Sequence, residues 1–167
     1  MNPRFAGFVA IAVCCAAAFV GVSCGGPSQE QAPITAEKKA PPPAAKPPDE
    51  SRRFPSAHQV KHEVVDDHLL GKDFLPGGNL AEYERDGKKY QQFLISRESP
   101  DQATFLMMDF KNELRDAKFI GHFGGYFGFD GDTPILLFPR NNFLAGIAGL
   151  PREEADLVAR DFAARLN

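Results

Sequence analysis

The chain has 167 residues, 43% of them hydrophobic, with 19 Lys and Arg against 22 Asp and Glu for a net charge of −3. That length provides one core plus extra segments, since a domain typically spans about 100–150 residues, and the absence of a dense basic run excludes a nucleic-acid face or a polybasic membrane patch. Cys14 and Cys15 lie in an N-terminal apolar run, Cys24 lies at its end and Gly25 to Asn167 contains no cysteine, which excludes a disulfide framework, a thiolate metal site and a cysteine nucleophile there.

Residues 1–23, "MNPRFAGFVAIAVCCAAAFVGVS", place Arg4 near the free amine and then run apolar or small from Phe5 to Val22. A short basic region, an apolar stretch and a small-residue end predict a secretory signal peptide. A retained transmembrane anchor is the alternative, although Gly and Ala dilute the run and no Lys/Arg stop-transfer cluster follows it. "GVSC" resembles the lipobox of bacterial lipoprotein signals: small Gly21 and Ser23, aliphatic Val22, then Cys24 in the place of the lipidated cysteine. Gly21 departs from the Leu-like residue usual three positions before that cysteine. The resemblance implies lipid on Cys24 and a location in the cell envelope, membrane-anchored and facing the extracytoplasmic space. Each buried CH₂ of the lipid would add about 0.8 kcal/mol.

Residues 24–56 then predict a disordered tether. Gly25 to Pro55 contains eight prolines with many Ala, Lys and Glu and almost no large apolar residue, too little to bury a core. Extended at about 3.1 Å per residue, a segment of this kind reaches up to roughly 90 Å.

The remaining residues, 57–167, predict one α+β domain. It opens on "HQVKHEVVDDHLL", where His58, His62 and Asp66 recur at helical spacing with Asp67 and His68 beside them. Two imidazoles and a carboxylate on one face suit a transition metal, so His58, His62 and His68 carry the alternative of a metal-assisted envelope enzyme. The β-branched pair Val64-Val65 and the lack of a tight motif favour a solvated lead-in, with no metal and no cofactor.

"NLAEYERDGKKYQQFLIS" predicts a two-residue type I′ hairpin at Asp86-Gly87. Counting outward, Tyr83 faces Tyr90 on one side of the ribbon and Glu84 faces Lys89 on the other, so the tyrosine side belongs on the core or a groove. "SPDQATFLMMDFKNELR" predicts a helix with Ser99 as cap, Pro100 first and Gln102 at the capping-box position, and with Ala103, Met107, Phe110 and Leu114 on one stripe. The stretch from Lys118 to Leu150 predicts three antiparallel strands near 118–128, 134–139 and 142–149. "PREEADLVARDFAARL" predicts a last helix whose stripe is Ala155, Val158, Ala159, Phe162 and Leu166. The expected outline is ββαβββα, an antiparallel sheet of about five strands with both helices on one face.

"GHFGGYFGFDGD" lacks the Lys-Ser/Thr of a phosphate loop, and Asp130 with Asp132 falls short of the oxygens calcium takes. Its glycines suit bulges and close backbone approaches, with Phe123, Tyr126, Phe127 and Phe129 packing over the sheet. An open edge there would make an aromatic cleft, for which His122, Tyr126 and Phe127 are the candidate ligand-binding residues. Beyond Ala57 only Ser96, Ser99, Thr104 and Thr133 bear aliphatic hydroxyls, and no GxSxG elbow occurs, which disfavours a serine hydrolase.

From "GGNLAEYERDGKKYQQFLISRESPDQA" to "FLAGIAGL" the chain, over about residues 70–167, resembles a family of exported bacterial proteins described only as a domain of unknown function. That resemblance implies no catalytic residues. The expected role is a non-catalytic extracytoplasmic binding or interaction module, with the membrane as one partner through Cys24, an envelope protein or small ligand as the other, and no nucleic acid. A further alternative is an assembly accessory that docks through a sheet edge, such as the strand near 142–149.

Overall fold

The structure is a computed structural model that describes residues 46–167, within one compact unit spanning Pro41–Asn167. The predicted signal peptide, Cys24 and most of the predicted tether lie outside the described residues. Among the described residues no helix is long and apolar enough to cross a membrane.

The Asp86-Gly87 turn forms as expected. Both residues take left-handed φ, 52° and 76°, the conformation a type I′ turn requires. It joins β2 (Pro76–Arg85) to β3 (Lys88–Ser96) with Tyr83 opposite Tyr90 and Glu84 opposite Lys89. Helix α1 (Pro100–Glu113) is capped by the Ser99 side chain, which accepts from the Gln102 N–H at 3.3 Å. The predicted stripe of Ala103, Met107, Phe110 and Leu114 is buried.

Two elements depart from expectation. The polar lead-in is a strand, β1 (Gln59–Asp67), paired antiparallel to β2 with His62 opposite Ala81. The single strand expected near 118–128 is a hairpin, β4 (Arg115–Ile120) and β5 (Gly125–Asp130), with Gly121 to Gly124 as its turn and Gly124 at φ 64°. Strands β6 (Thr133–Arg140) and β7 (Phe143–Ala148) and helix α2 (Arg152–Ala164) complete the domain.

The seven strands among the described residues form one antiparallel sheet in the order β1-β2-β3-β7-β6-β5-β4. The chain builds a three-stranded meander, crosses the sheet through α1, and returns by a four-stranded meander that closes β7 against β3. Strand β7 therefore lies between β3 and β6, which rules it out as the docking edge: its backbone groups are used on both sides.

The helices cover opposite faces, a second correction. Along β6, Ile135 and Leu137 join the core beneath α1, with Met107 and Phe110, whereas Leu136 and Phe138 join the core beneath α2, with Ala159 and Phe162. Successive strand residues point to opposite sides, so these alternating memberships mean two cores and a sheet buried on both faces.

Residues before 57 also belong to the folded domain. Asn79 on β2 accepts from the Glu50 N–H and donates to the Pro48 carbonyl, both at 2.9 Å. The Tyr83 hydroxyl donates to the Pro55 carbonyl at 2.9 Å, and Phe54 is buried against Phe162. Proline-rich composition concealed this because the single aromatic Phe54 and backbone hydrogen bonds, rather than an apolar pattern, hold residues 48–55 on the α2 face.

Candidate functional site

The three residues proposed for an aromatic cleft do not come together. His122 stands in the β4–β5 turn, where its Nε2 meets Asp156 Oδ1 on α2 at 2.5 Å and its ring lies 4.5 Å from Phe123, which stacks on Phe138. Phe127 is buried in the core beneath α2. Tyr126 is on the α1 side, edge-on to Phe119 and beneath the Lys111 ammonium. Adjacent strand positions face opposite ways, so Tyr126 and Phe127 cannot line one cavity.

Asp156 accepts a second bond, from Arg160 Nε at 2.8 Å. Burial alone would raise its carboxyl, but the hydrogen bonds from Arg160 and then His122 outweigh it and hold the group below its usual range. This cluster ties the β4–β5 turn to α2.

The histidines of the lead-in separate because that segment is extended. At about 3.3 Å per residue, His58 and His68 stand roughly 30 Å apart, at the two ends of β1. His62 lies edge-on to Phe54, with its Nε2 buried and without a hydrogen-bond partner among the described residues. Among the described residues no group of three or more His, Cys, Asp or Glu could hold a metal ion. Asp130 pairs with Lys72 at 2.9 Å and Asp132 faces Arg115 at 3.9 Å, so the "DGD" turn carries ion pairs.

A cleft of about 350 Å³ opens instead on the α2 face, between the β2–β3 hairpin and α2. Tyr90, Gln92 and Leu150 line it from the sheet side, and Leu157 and Val158 line it from the helix. Tyr90 is stacked on Tyr83, ring centres 5.0 Å apart and planes 12° from parallel, so its ring is held in place. Burial pushes the Tyr90 hydroxyl up, against smaller opposing effects of Arg85 and of the Gln92 amide beside it. The phenol therefore stays protonated at neutral pH and is available as a donor.

Gln92 is 1% exposed, and among the described residues its Oε1 has no hydrogen-bond partner. Leaving such an acceptor unmet costs on the order of 1–3 kcal/mol, and with almost no accessible surface it lies behind the cleft wall, not in the open cavity. The rim is charged with both signs. His58, Arg85, Asp86 and Lys88 come from the sheet side and Glu154 and Asp161 from the helix, with Arg85 facing Asp86 at 3.5 Å, Lys88 bridged to Glu154 at 2.6 Å and Asp161 facing Arg165 at 3.6 Å.

A second hollow of about 350 Å³ adjoins the same hairpin, lined in part by Glu82, Glu84, Lys89 and Gln91. These residues alternate with Tyr83 and Tyr90 and belong to the α1 side of the ribbon, beyond the reach of the helix.

Comparison of the chain with protein-family models, curated proteins and solved structures finds no match in any of the three. The tyrosine side of the hairpin, expected on a core or groove, meets both through Tyr90. Gln92 carries a single signal in the sequence, a polar residue at the same parity as Tyr90 and Leu94 on an otherwise inward-facing strand side.

Proposed function

We propose that this chain is an envelope lipoprotein, held on a membrane by lipid on Cys24, whose α+β domain is a non-catalytic module that binds a small ligand in the extracytoplasmic space. The "GVSC" sequence after an apolar run supports the anchor. The observation that carries the binding role is the cleft between the hairpin and α2, with Tyr90 held in its wall by the stack on Tyr83 and Leu157 and Val158 facing it from the helix. A largely apolar pocket with a few placed polar groups is the common form of a small-ligand site. The His122–Asp156 pair supports binding over catalysis, because Arg160 and Phe123 engage it in fastening a turn to a helix.

The test is native against denaturing mass spectrometry on the chain purified from the envelope of its own host. The expected result is extra mass that leaves on denaturation, together with N-terminal lipid that disappears in Cys24→Ser. A bare chain whose fractionation is indifferent to Cys24→Ser would remove both parts of the reading.

A further inference from the structure

Residues 46–55 cross the α2 face as a strap that pairs with no strand, and the exposed turn Ser56-Ala57-His58 joins them to the domain. Asn79 holds the strap backbone at Pro48 and Glu50, the Phe54 ring packs on His62 and Phe162, and Tyr83 donates to the Pro55 carbonyl. Arg53 donates to the Arg165 carbonyl at 3.2 Å and lies 4.6 Å over the Phe143 ring, and Lys46 meets Asp66 at 3.5 Å. Every partner outside the strap lies beyond the turn, in β1, β2, β7 or the end of α2. A second copy of the chain therefore offers the same seat.

The turn is the weak part of the closed arrangement. It is closed by a long hydrogen bond, from the Gln59 N–H to the Ser56 carbonyl at 3.4 Å, and His58, its third residue, takes a left-handed φ of 64°. Glycine accepts that conformation at the third turn position without strain, and a residue with a side chain does not. None of the three turn residues is buried, so straightening the turn loses no core contact and relieves His58.

Both ends of the turn lie at the hairpin end of the sheet, since Pro55 is held by Tyr83 and the His58 carbonyl accepts from the Glu84 N–H. Straightened, the four Cα steps from Pro55 to Gln59 span up to about 14 Å, a gap that two copies meeting hairpin end to hairpin end can bridge. Glu84, Arg85, Asp86, Lys88 and Lys89 give that end charges of both signs, so two such ends meet without single-sign repulsion.

We infer that two copies of this chain exchange residues 46–55 over the 56–58 turn, each strap occupying the α2 face of the other, to form a closed two-fold dimer. The contacts made between copies are those made within one, so the balance lies between strain released at two turns and the entropy of association. Reciprocal exchange uses both straps, so assembly stops at two. The exchange requires neither the ligand role nor the anchor proposed above.

The test uses the full chain in detergent, with ¹⁴N and ¹⁵N forms unfolded together in equal amounts and refolded at high concentration. Gel filtration with light scattering separates monomer from dimer, and a carbodiimide then joins carboxylates to amines already in contact. In the dimer, half of the Lys46–Asp66 crosslinks should join a ¹⁴N peptide to a ¹⁵N peptide, the share that equal mixing sets. Lys88–Glu154 crosslinks lie wholly beyond the turn and should join like isotopes only. His58→Gly makes the closed turn free of strain, so the dimerisation constant should fall roughly tenfold. His58→Pro excludes a left-handed φ, so the dimer should predominate.

A dimer whose Lys46–Asp66 crosslinks all join like isotopes is a side-by-side contact with each strap at home, and it overturns the inference. So does the absence of any dimer from both the unaltered chain and His58→Pro. Should His58→Pro fail to fold, the isotope count in the unaltered chain and the fall in His58→Gly decide the matter.

Discussion

The two faces of the sheet are built from different materials. Beneath α1 the buried residues are Leu, Ile, Phe, Met and Ala. Beneath α2 the aliphatic and aromatic core is interrupted by Asn79, Gln92, Tyr83 and Tyr90, and residues 48–55 cross it on hydrogen bonds. One face is shut and the other is keyed. A sheet covered on both sides can draw its rigidity from an apolar core on one face and carry hydrogen-bonded polar residues in the other.

The strongest way to break this contrast is to damage the shut face. Phe110 is fully buried, and Phe110→Ala should cost about 3–5 kcal/mol in urea unfolding, enough to dissolve both cores together if they are one cooperative unit. Gly146 comes next: a Cβ there would overlap the Phe93 ring, so Gly146→Ala should cost about 1–3 kcal/mol and disturb Phe93 rather than the cleft.

Damage to the keyed face should be smaller and local. Asn79→Ala removes both hydrogen bonds that hold residues 48–50, at about 1–2 kcal/mol, and hydrogen exchange should quicken at the Glu50 amide while α1 stays protected. Equal quickening on α1 would show that the faces are not separable. The smallest effect belongs to Asp156, on the helix surface. A carboxylate with a lowered folded pKa contributes stability that is present above its unfolded value, 3.8, and lost as pH falls through the lowered one. The melting temperature of the unaltered chain should therefore exceed that of Asp156→Asn at neutral pH by a small margin, and the gap should close below pH 3.8.

What the sequence revealed followed the range of the interactions involved. The Asp86-Gly87 turn and the Ser99-Pro100 helix start are decided by neighbouring residues, and both form as read. Strand β1 escaped because it has no buried residue, so "QVKHEVVDD" shows no alternation strong enough to outweigh the helical spacing of its histidines. The β4–β5 turn escaped because "GHFGG" reads equally as bulged strand. The two-faced sheet did leave a trace: "ILLF" and "FLAGIA" are continuous apolar runs, the pattern of strands buried on both sides. Assigning both helices to one face overlooked it. The cleft was the least legible feature, since Tyr90 gains its place there only from residues brought to it by β7 and α2.

Among the described residues, the sheet ends in β1 on one side and β4 on the other, and each terminal strand pairs along one side only. A wide sheet of this kind is a template on which further copies could stack edge to edge into fibres. Both terminal strands interrupt their ladders, β1 between Gln59 and Lys61 and β4 between Arg115 and Lys118, where Asp116 takes a left-handed φ of 54°. Charged residues, among them Lys61, Glu63, Asp66, Asp67, Arg115, Asp116 and Lys118, fill the same strands. The strands that contribute least to either core thus act as the molecule's guard against polymerisation, and replacing their charges would trade colloidal safety for regular pairing.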